Sequence, residues 1–358
     1  MTKTTEEVRH ECTSWMLFPK LTGGRMLLHK NRDADQRGIT LYKSPLGDTN
    51  SWIALGDSGM TNMVVNGHGL ATAMNSGELT DENEPPENGR LKTPEIAREL
   101  VESCENAVQA VARYKKIIAE RRYTHNDRGS IFFIMDTKAG YVVESTARHV
   151  FPAKVTGGIA IRANIWHNFG ISRYSKDTYT HALNSSSREL QVRIGLNEAL
   201  AQNGRITLQD IWRTSRLRGD EKLIGSRSGI CNKKTNSAAT LAPDAEFPDV
   251  LSSIYVAIGP PACTVFLPVP ICLSEIPDDI SDGSWSSAAF ARHDSFGLDF
   301  DDSIWLPFES KMSALFDDAL HGARLLLRKG ERAQAIELLN NAFKCNYDSV
   351  QKAVLQKH

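Results

Sequence analysis

The sequence predicts an α+β fold in which two mainly antiparallel β-sheets carry helices on their outer faces. Three observations lead there. Short apolar runs bounded by turn signals fill Cys12 to Met74 and recur between Ile131 and Ile161 and between Ser237 and Leu267. Segments of helical period lie between and after them. Neighbouring runs are joined by hairpin turns such as Asn66-Gly67 and Asp136–Gly140, which pair strands antiparallel.

The elements follow in order. Cys12-Thr13-Ser14-Trp15-Met16-Leu17 and Met26-Leu27-Leu28 form two strands around a Thr22-Gly23-Gly24 turn, the second ending in Lys30-Asn31-Arg32-Asp33. Trp52–Leu55, Met63–Val65 and Leu70–Met74 continue the strand pattern. A polar loop, Ser76–Arg90, leads to a helix capped by Thr93 with Pro94 in its first turn. In it Ile96, Leu100, Val101, Cys104, Val108 and Val111 recur at helical spacing. Ile131–Met135, Tyr141–Val143 and Ile159–Ile161 read as strands, and Ser187–Gln202 and Leu208–Leu217 as helices, the second opened by a Thr207/Asp210 capping box. Strands resume at Ser237–Leu241, Ile254–Ile258 and Thr264–Leu267. Ser274–Asp302, rich in Asp, Ser and Gly, reads as an irregular loop, and two helices from Met312 onward, separated at Lys329-Gly330, form a C-terminal extension.

At 358 residues the chain can bury a substantial core. A balanced formal charge of −1 gives no sign of a polyanion-binding surface, so no nucleic-acid partner is expected. No apolar stretch has the length of a membrane span, and the leader Met1–Glu11 has no hydrophobic segment, so a cytoplasmic protein without a membrane partner is the expectation. The six cysteines, at 12, 104, 231, 263, 272 and 345, include no C-x-x-C pair, and no histidine cluster has metal-ligand spacing. Neither metal nor cofactor is expected.

Cys12 carries the chemistry. The hairpin folds the charged quartet Lys30–Asp33 back beside it. A thiol attacks only as thiolate, with an ordinary pKa of about 8.5, so an amide-cleaving site needs a base. The α-amine of a chain terminus, pKa about 7.7–8.0, suits neutral pH. For Cys12 to use its own amine, the Glu11–Cys12 bond must first be cut, and the thiol itself can attack that preceding carbonyl. Lys30 or Arg32 then stabilises the thiolate while Asp33 holds the new amine. The plainer reading is a small buried residue on a first strand.

The order of motifs from Cys12 to about Leu267 resembles the N-terminal-nucleophile (Ntn) hydrolases with a cysteine nucleophile. It is most similar to the acyl-coenzyme A:6-aminopenicillanic acid (isopenicillin N) acyltransferase-like group, with the bile salt hydrolase and penicillin V acylase group a close relation. Cys12-Thr13 resembles the processed start, and Lys30-Asn31-Arg32-Asp33 the Arg-Asn-x-Asp motif, with Lys30 where an arginine is usual. Asn66-Gly67-His68-Gly69-Leu70 followed by a strand ending in Asn75 resembles the next hairpin, Asp136 to Glu144 the one after it, and Ile161-Arg162-Ala163-Asn164 the strand ending in an oxyanion asparagine. Gly229-Ile230-Cys231-Asn232 resembles a late motif in which arginine commonly stands at the position of Asn232, with Lys233 next here.

The resemblance implies a four-layer αββα sandwich, here spanning residues 12–308, preceded by a propeptide at 1–11 and followed by a helical extension at 309–358. Its implied site is Cys12 as nucleophile, Lys30 beside the sulfur, Asp33 at the amine, Asn164 at the oxyanion, Asn75 as an oxyanion or substrate contact, and Asn232 and Lys233 as substrate contacts. The implied reaction is hydrolysis of a small linear amide through a thioester, or acyl transfer from an acyl donor to an amine. Homo-oligomerisation stays open. Each residue also has an ordinary role: Asn66 as a turn residue, Asn75 as a strand terminator, Asp136 and Glu144 as hairpin partners. Two other functions are weighed: an inactive binding protein on the same fold, and a papain-like protease with a histidine base.

Overall fold

Three separate apolar clusters build the molecule, and each fills the gap between two layers. The computed structural model describes residues 12–44, 51–57, 59, 61–85, 87, 90–124, 127–219 and 229–356; Glu11 and the rest of the expected propeptide 1–11 lie outside them. The first sheet contains β1 (Thr13–Leu17), β2 (Leu27–Asp33), β10 (Ile159–Arg162), β11 (Thr235–Ala242), β12 (Ser253–Ala257) and β13 (Leu267–Pro270), in the order β10-β1-β2-β11-β12-β13. The second is a meander of β3 (Ile39–Lys43), β4 (Trp52–Asp57), β5 (Met63–Asn66), β6 (Ala71–Leu79), β7 (Arg128–Met135), β8 (Gly140–Ser145) and β9 (Val150–Val155). Every strand pair is antiparallel.

Alternation along the strands assigns the faces. On β1 and β2, Met16 and Leu28 face the second sheet and pack with Leu55, Val65, Ala73 and Phe133. Trp15, Leu17 and Leu27 face outward against α3 (Tyr179–Asn203), α4 (Leu208–Ser215), α6 (Leu306–Arg328) and α7 (Arg332–Leu355), through Val192, Trp212, Phe316 and Leu339. Beyond the second sheet, Val64, Phe132 and Ile134 pack on α1 (Thr93–Ser103) and α2 (Ala107–Ala119). Helices, sheet, sheet and helices make the αββα sandwich that was expected.

Several elements differ from expectation. The run from Thr93 to Val111 is two helices, because the Asn106 side chain accepts from Gln109 N and starts the second; Lys92 rather than Thr93 is the N-cap of the first. The strand expected at Thr264–Leu267 begins at Leu267 instead, after a 3-10 turn at Pro261–Cys263. Ser274–Asp302 contains a further helix, α5 (Ser284–Phe296), whose Trp285, Ala289 and Phe290 are buried despite their polar neighbours. The expected boundary at 308–309 falls inside α6. No helix among the described residues is long and apolar enough to cross a membrane.

Candidate active site

Cys12 immediately precedes β1, with Thr13 paired to Asn31 and Ser14 to Lys30 across the sheet. Two-residue periodicity puts Ser14 and Lys30 on the inter-sheet face, and Asn31 and Asp33 on the outer one. Polar groups at the first location sit in a gap that is otherwise apolar, so each needs a partner. Asn75, from β6 of the opposite sheet, supplies it. Its oxygen accepts from Ser14 Oγ (2.7 Å) and Lys30 Nζ (2.9 Å). Its Nδ2 donates to the carbonyls of Arg162 (3.0 Å) and Ala163 (2.9 Å). Both hydrogens of that amide are thus engaged in holding β10 to β6.

Lys30 is 1 % exposed. Its Nζ also donates to Met74 O. Burial lowers its pKa, the charges of Cys12 and Asp33 opposing that shift and Arg32 adding to it. Arg32 itself is tied to Asp57 (3.3 Å) of β4.

Asn164 holds the backbone nitrogen of Cys12. The N–H of Cys12 donates to Asn164 Oδ1 at 2.8 Å, and Asn164 Nδ2 donates to Ser76 O at 2.8 Å. The loop carrying Asn164 is fixed by three carboxylates on its backbone. Glu189 accepts from Ala163 N, Glu78 from Trp166 N, and Glu144 from His167 N and Asn168 N while pairing with Arg162. Burial raises the Glu78 carboxyl, against hydrogen bonds from Ser175 and Trp166. The Trp166 ring fills a slot above Gly129, where a Cβ would come within 2.3 Å of the indole.

Asp33 lies on the outer face, where its carboxylate accepts from Asn232 Nδ2 (2.5 Å) and Thr235 Oγ1 (2.7 Å). The N–H of Cys12 goes instead to Asn164. Asn232 is buried and builds the turn into β11: its Nδ2 also donates to Gly229 O and its Oδ1 accepts from Lys234 N. Lys233 is exposed in that turn. Asn66 is a turn residue, its oxygen accepting from the backbone of His68 and Leu70. Asp136 caps the following hairpin by accepting from Lys138 N and Ala139 N.

One residue at the site escaped sequence reasoning. Arg188, fully buried on α3, donates from Nη1 to Cys12 O (2.7 Å) and Thr13 Oγ1 (2.9 Å), and from Nη2 to Asn164 Oδ1 (3.1 Å). It clasps the Cys12 backbone from the outer side, opposite the inter-sheet face that carries Lys30. Its spacing four residues before Val192 and eight before Leu196 put a charge in line with an apolar stripe, which was the available signal.

Histidine is a poor base here. His29 is stacked on Trp15, its nitrogens bonded to Thr240 Oγ1 and Asn31 Oδ1, and burial pushes its pKa down to about 3. The other buried thiols are inert by the same cause, burial pushing Cys231 up to about 11 and Cys263 and Cys272 to about 12. Among the described residues no group of three or more His, Cys, Asp or Glu has the arrangement to hold a metal ion.

No family model and no curated protein matches the chain. Among solved structures it is similar to a mutant of the conjugated bile acid hydrolase from Clostridium perfringens, at 13 % identity over 69 % of this chain and 89 % of that one, TM-score 0.44. It is also similar to a Caenorhabditis elegans N-acylethanolamine-hydrolyzing acid amidase ortholog, at 12 % identity over 66 % of this chain and 93 % of that one, TM-score 0.43. Neither similarity assigns a residue or a substrate to this chain.

Proposed function

We propose that the chain is a self-processing cysteine hydrolase of the Ntn type, cleaving a small linear, non-peptide amide through a thioester. The observation that carries this reading is the double hold on the Cys12 backbone, its N–H on Asn164 and its carbonyl on Arg188, with buried Lys30 paired to Ser14 two residues along. In processing, the Cys12 sulfur bonds to the Glu11 carbonyl carbon, the Glu11–Cys12 C–N bond breaks, and the nitrogen leaves as an amine after gaining a proton. Water then hydrolyses the thioester, returning a carboxylate on Glu11 and a free thiol. In turnover the freed amine takes the thiol proton, the sulfur attacks a substrate amide, and water resolves the acyl-enzyme; capture by an amine instead gives acyl transfer. Asn164 orients the nitrogen, and the oxyanion falls to backbone N–H groups, since the Asn75 amide is held by two carbonyls and Asn164 Nδ2 donates to Ser76 O.

Intact mass and N-terminal sequencing of the purified protein test this directly. The expected product begins at Cys12, and its Cys12 is carbamidomethylated by iodoacetamide in peptide maps that separate it from exposed Cys345. The second reading, an inactive binding protein on this fold, is favoured by one observation, the 5 % exposure of Cys12. It predicts an intact leader and an unreactive Cys12.

Arg188 is a positioning residue in this scheme. Arg188→Met removes the donor to Cys12 O and Asn164 Oδ1, and the resulting misplacement is expected to slow leader release about 10²-fold. Stopped time courses by mass spectrometry read that rate; Arg188→Lys should recover part of it. A merely structural role would lower thermal stability and leave the rate of the folded fraction unchanged.

A further inference from the structure

Leader release poses a problem of proton transfer that the freed amine cannot solve. Before the Glu11–Cys12 bond breaks, the Cys12 nitrogen is a peptide nitrogen with no basic lone pair, and its N–H is donated to Asn164. Something else must accept the thiol proton for the first attack. We propose that Lys30, as a neutral amine, is the general base of self-cleavage and afterwards the acid that protonates the departing Cys12 nitrogen. The inference rests on the amidase reading above and names the group that starts it.

The geometry suits an amine with one lone pair. A neutral lysine has two N–H bonds, and the Lys30 nitrogen has two oxygen acceptors, Met74 O and Asn75 Oδ1. Cys12 lies two residues before Ser14, the cross-strand partner of Lys30, and so on the same face and diagonal to the lysine, within reach of its long side chain. The same two acceptors also accommodate an ammonium facing a thiolate, so both protonation states fit this placement. The step balances: Cys12–SH and Lys30–NH2 become thiolate and ammonium; the thiolate adds to the Glu11 carbonyl; the ammonium returns its proton to the nitrogen as the C–N bond breaks.

The surroundings favour the neutral amine. Lys30 is 1 % exposed, and no carboxylate oxygen lies within ion-pairing distance among its described contacts. The charges acting on it are Cys12, Arg32 and Asp33. Arg32 repels a second cation and is matched by Asp57, while Asp33 faces the other side of β2 toward Asn232 and Thr235. Arginine at this position would supply the charge and never the proton transfer.

That difference is the test. Full-length Lys30→Arg and Lys30→Met are followed for leader release by intact mass and for Cys12 alkylation by iodoacetamide at pH 7. Lys30→Arg is expected to keep alkylation yet release its leader about 10²–10⁴-fold more slowly than the unsubstituted chain; Lys30→Met should lose both. Release from Lys30→Arg at the unsubstituted rate overturns the inference and leaves Lys30 a charge partner. An unsubstituted chain that keeps its leader and resists iodoacetamide at Cys12 overturns the amidase reading, and the base with it. A second measurement stands if the arginine variant fails to fold. In Cys12→Ser protein labelled with 15N-lysine, the Lys30 Nζ resonance should be that of a neutral amine at pH 8, whereas an ammonium signal persisting to pH 9 refutes the assignment.

Discussion

Cys12→Ala is expected to yield a folded chain that retains Met1–Glu11 and cleaves no amide. The substitution removes one sulfur at the head of β1 and leaves the backbone contacts of Cys12 N with Asn164 and of Cys12 O with Arg188 in place. Its cost in stability is therefore small, while its chemical cost is total for leader release and, by comparison with deletion of a protease nucleophile, on the order of 10⁶-fold in turnover. Intact mass gives the first result and a fluorogenic fatty or aryl amide the second. An alanine variant that still loses its leader would show that another protease removes it. An alanine variant that also hydrolyses the amide would end the case for a thiol enzyme. The binding-protein reading makes the opposite forecast, that alanine and cysteine chains behave alike.

How far the sequence reveals this site depends on which interactions are local. The β1–β2 hairpin was legible because its apolar alternation and glycine turn are contained within about twenty residues, and it fixes Lys30 beside the head of β1. Asn164 was legible as a polar end to an apolar strand. Its actual hydrogen-bond roles were not, since they depend on Ser76 and Arg188 from other layers. Asn75 illustrates the same limit: its position was readable, but its four partners come from β1, β2 and the end of β10. Arg188 was missed because its partners lie elsewhere: Cys12, Thr13 and Asn164 come from other elements, and Asn184 and Ser185 from a helical turn before the expected start at Ser187. Helix α5 was hidden by composition. Its serines and aspartates argue for a loop, and burial of Trp285 against Tyr347 with Arg292 donating to Val354 O overrides them.

The largest effect on stability is expected from Glu309→Ala. Glu309 and Arg216 form a bidentate pair at 2.6 and 2.9 Å, and their side chains are 1 % and 5 % exposed. The guanidinium also donates to Pro261 O and Thr264 O, and the carboxylate accepts from Phe266 N. This cluster joins the end of α4, the turn before β13 and the first turn of α6. Removing the carboxylate leaves a buried cation without its counter-charge, at a cost of about 3–5 kcal/mol. Guanidinium unfolding should show that as a lower midpoint with an unchanged slope, because the same surface is exposed on unfolding. Arg216→Met combined with Glu309→Leu should lose less than the sum of the two single changes, since no lone charge remains. Recovery stays incomplete, because two carbonyls and one N–H lose their partners. Strict additivity of the two changes would mean that the ions do not act as a pair. If the C-terminal helices unfolded first, in a separate transition that Glu309→Ala shifts alone, they would be an appendage. A single shifted transition, which this bridge predicts, makes them part of the layer that holds the sheet carrying Cys12.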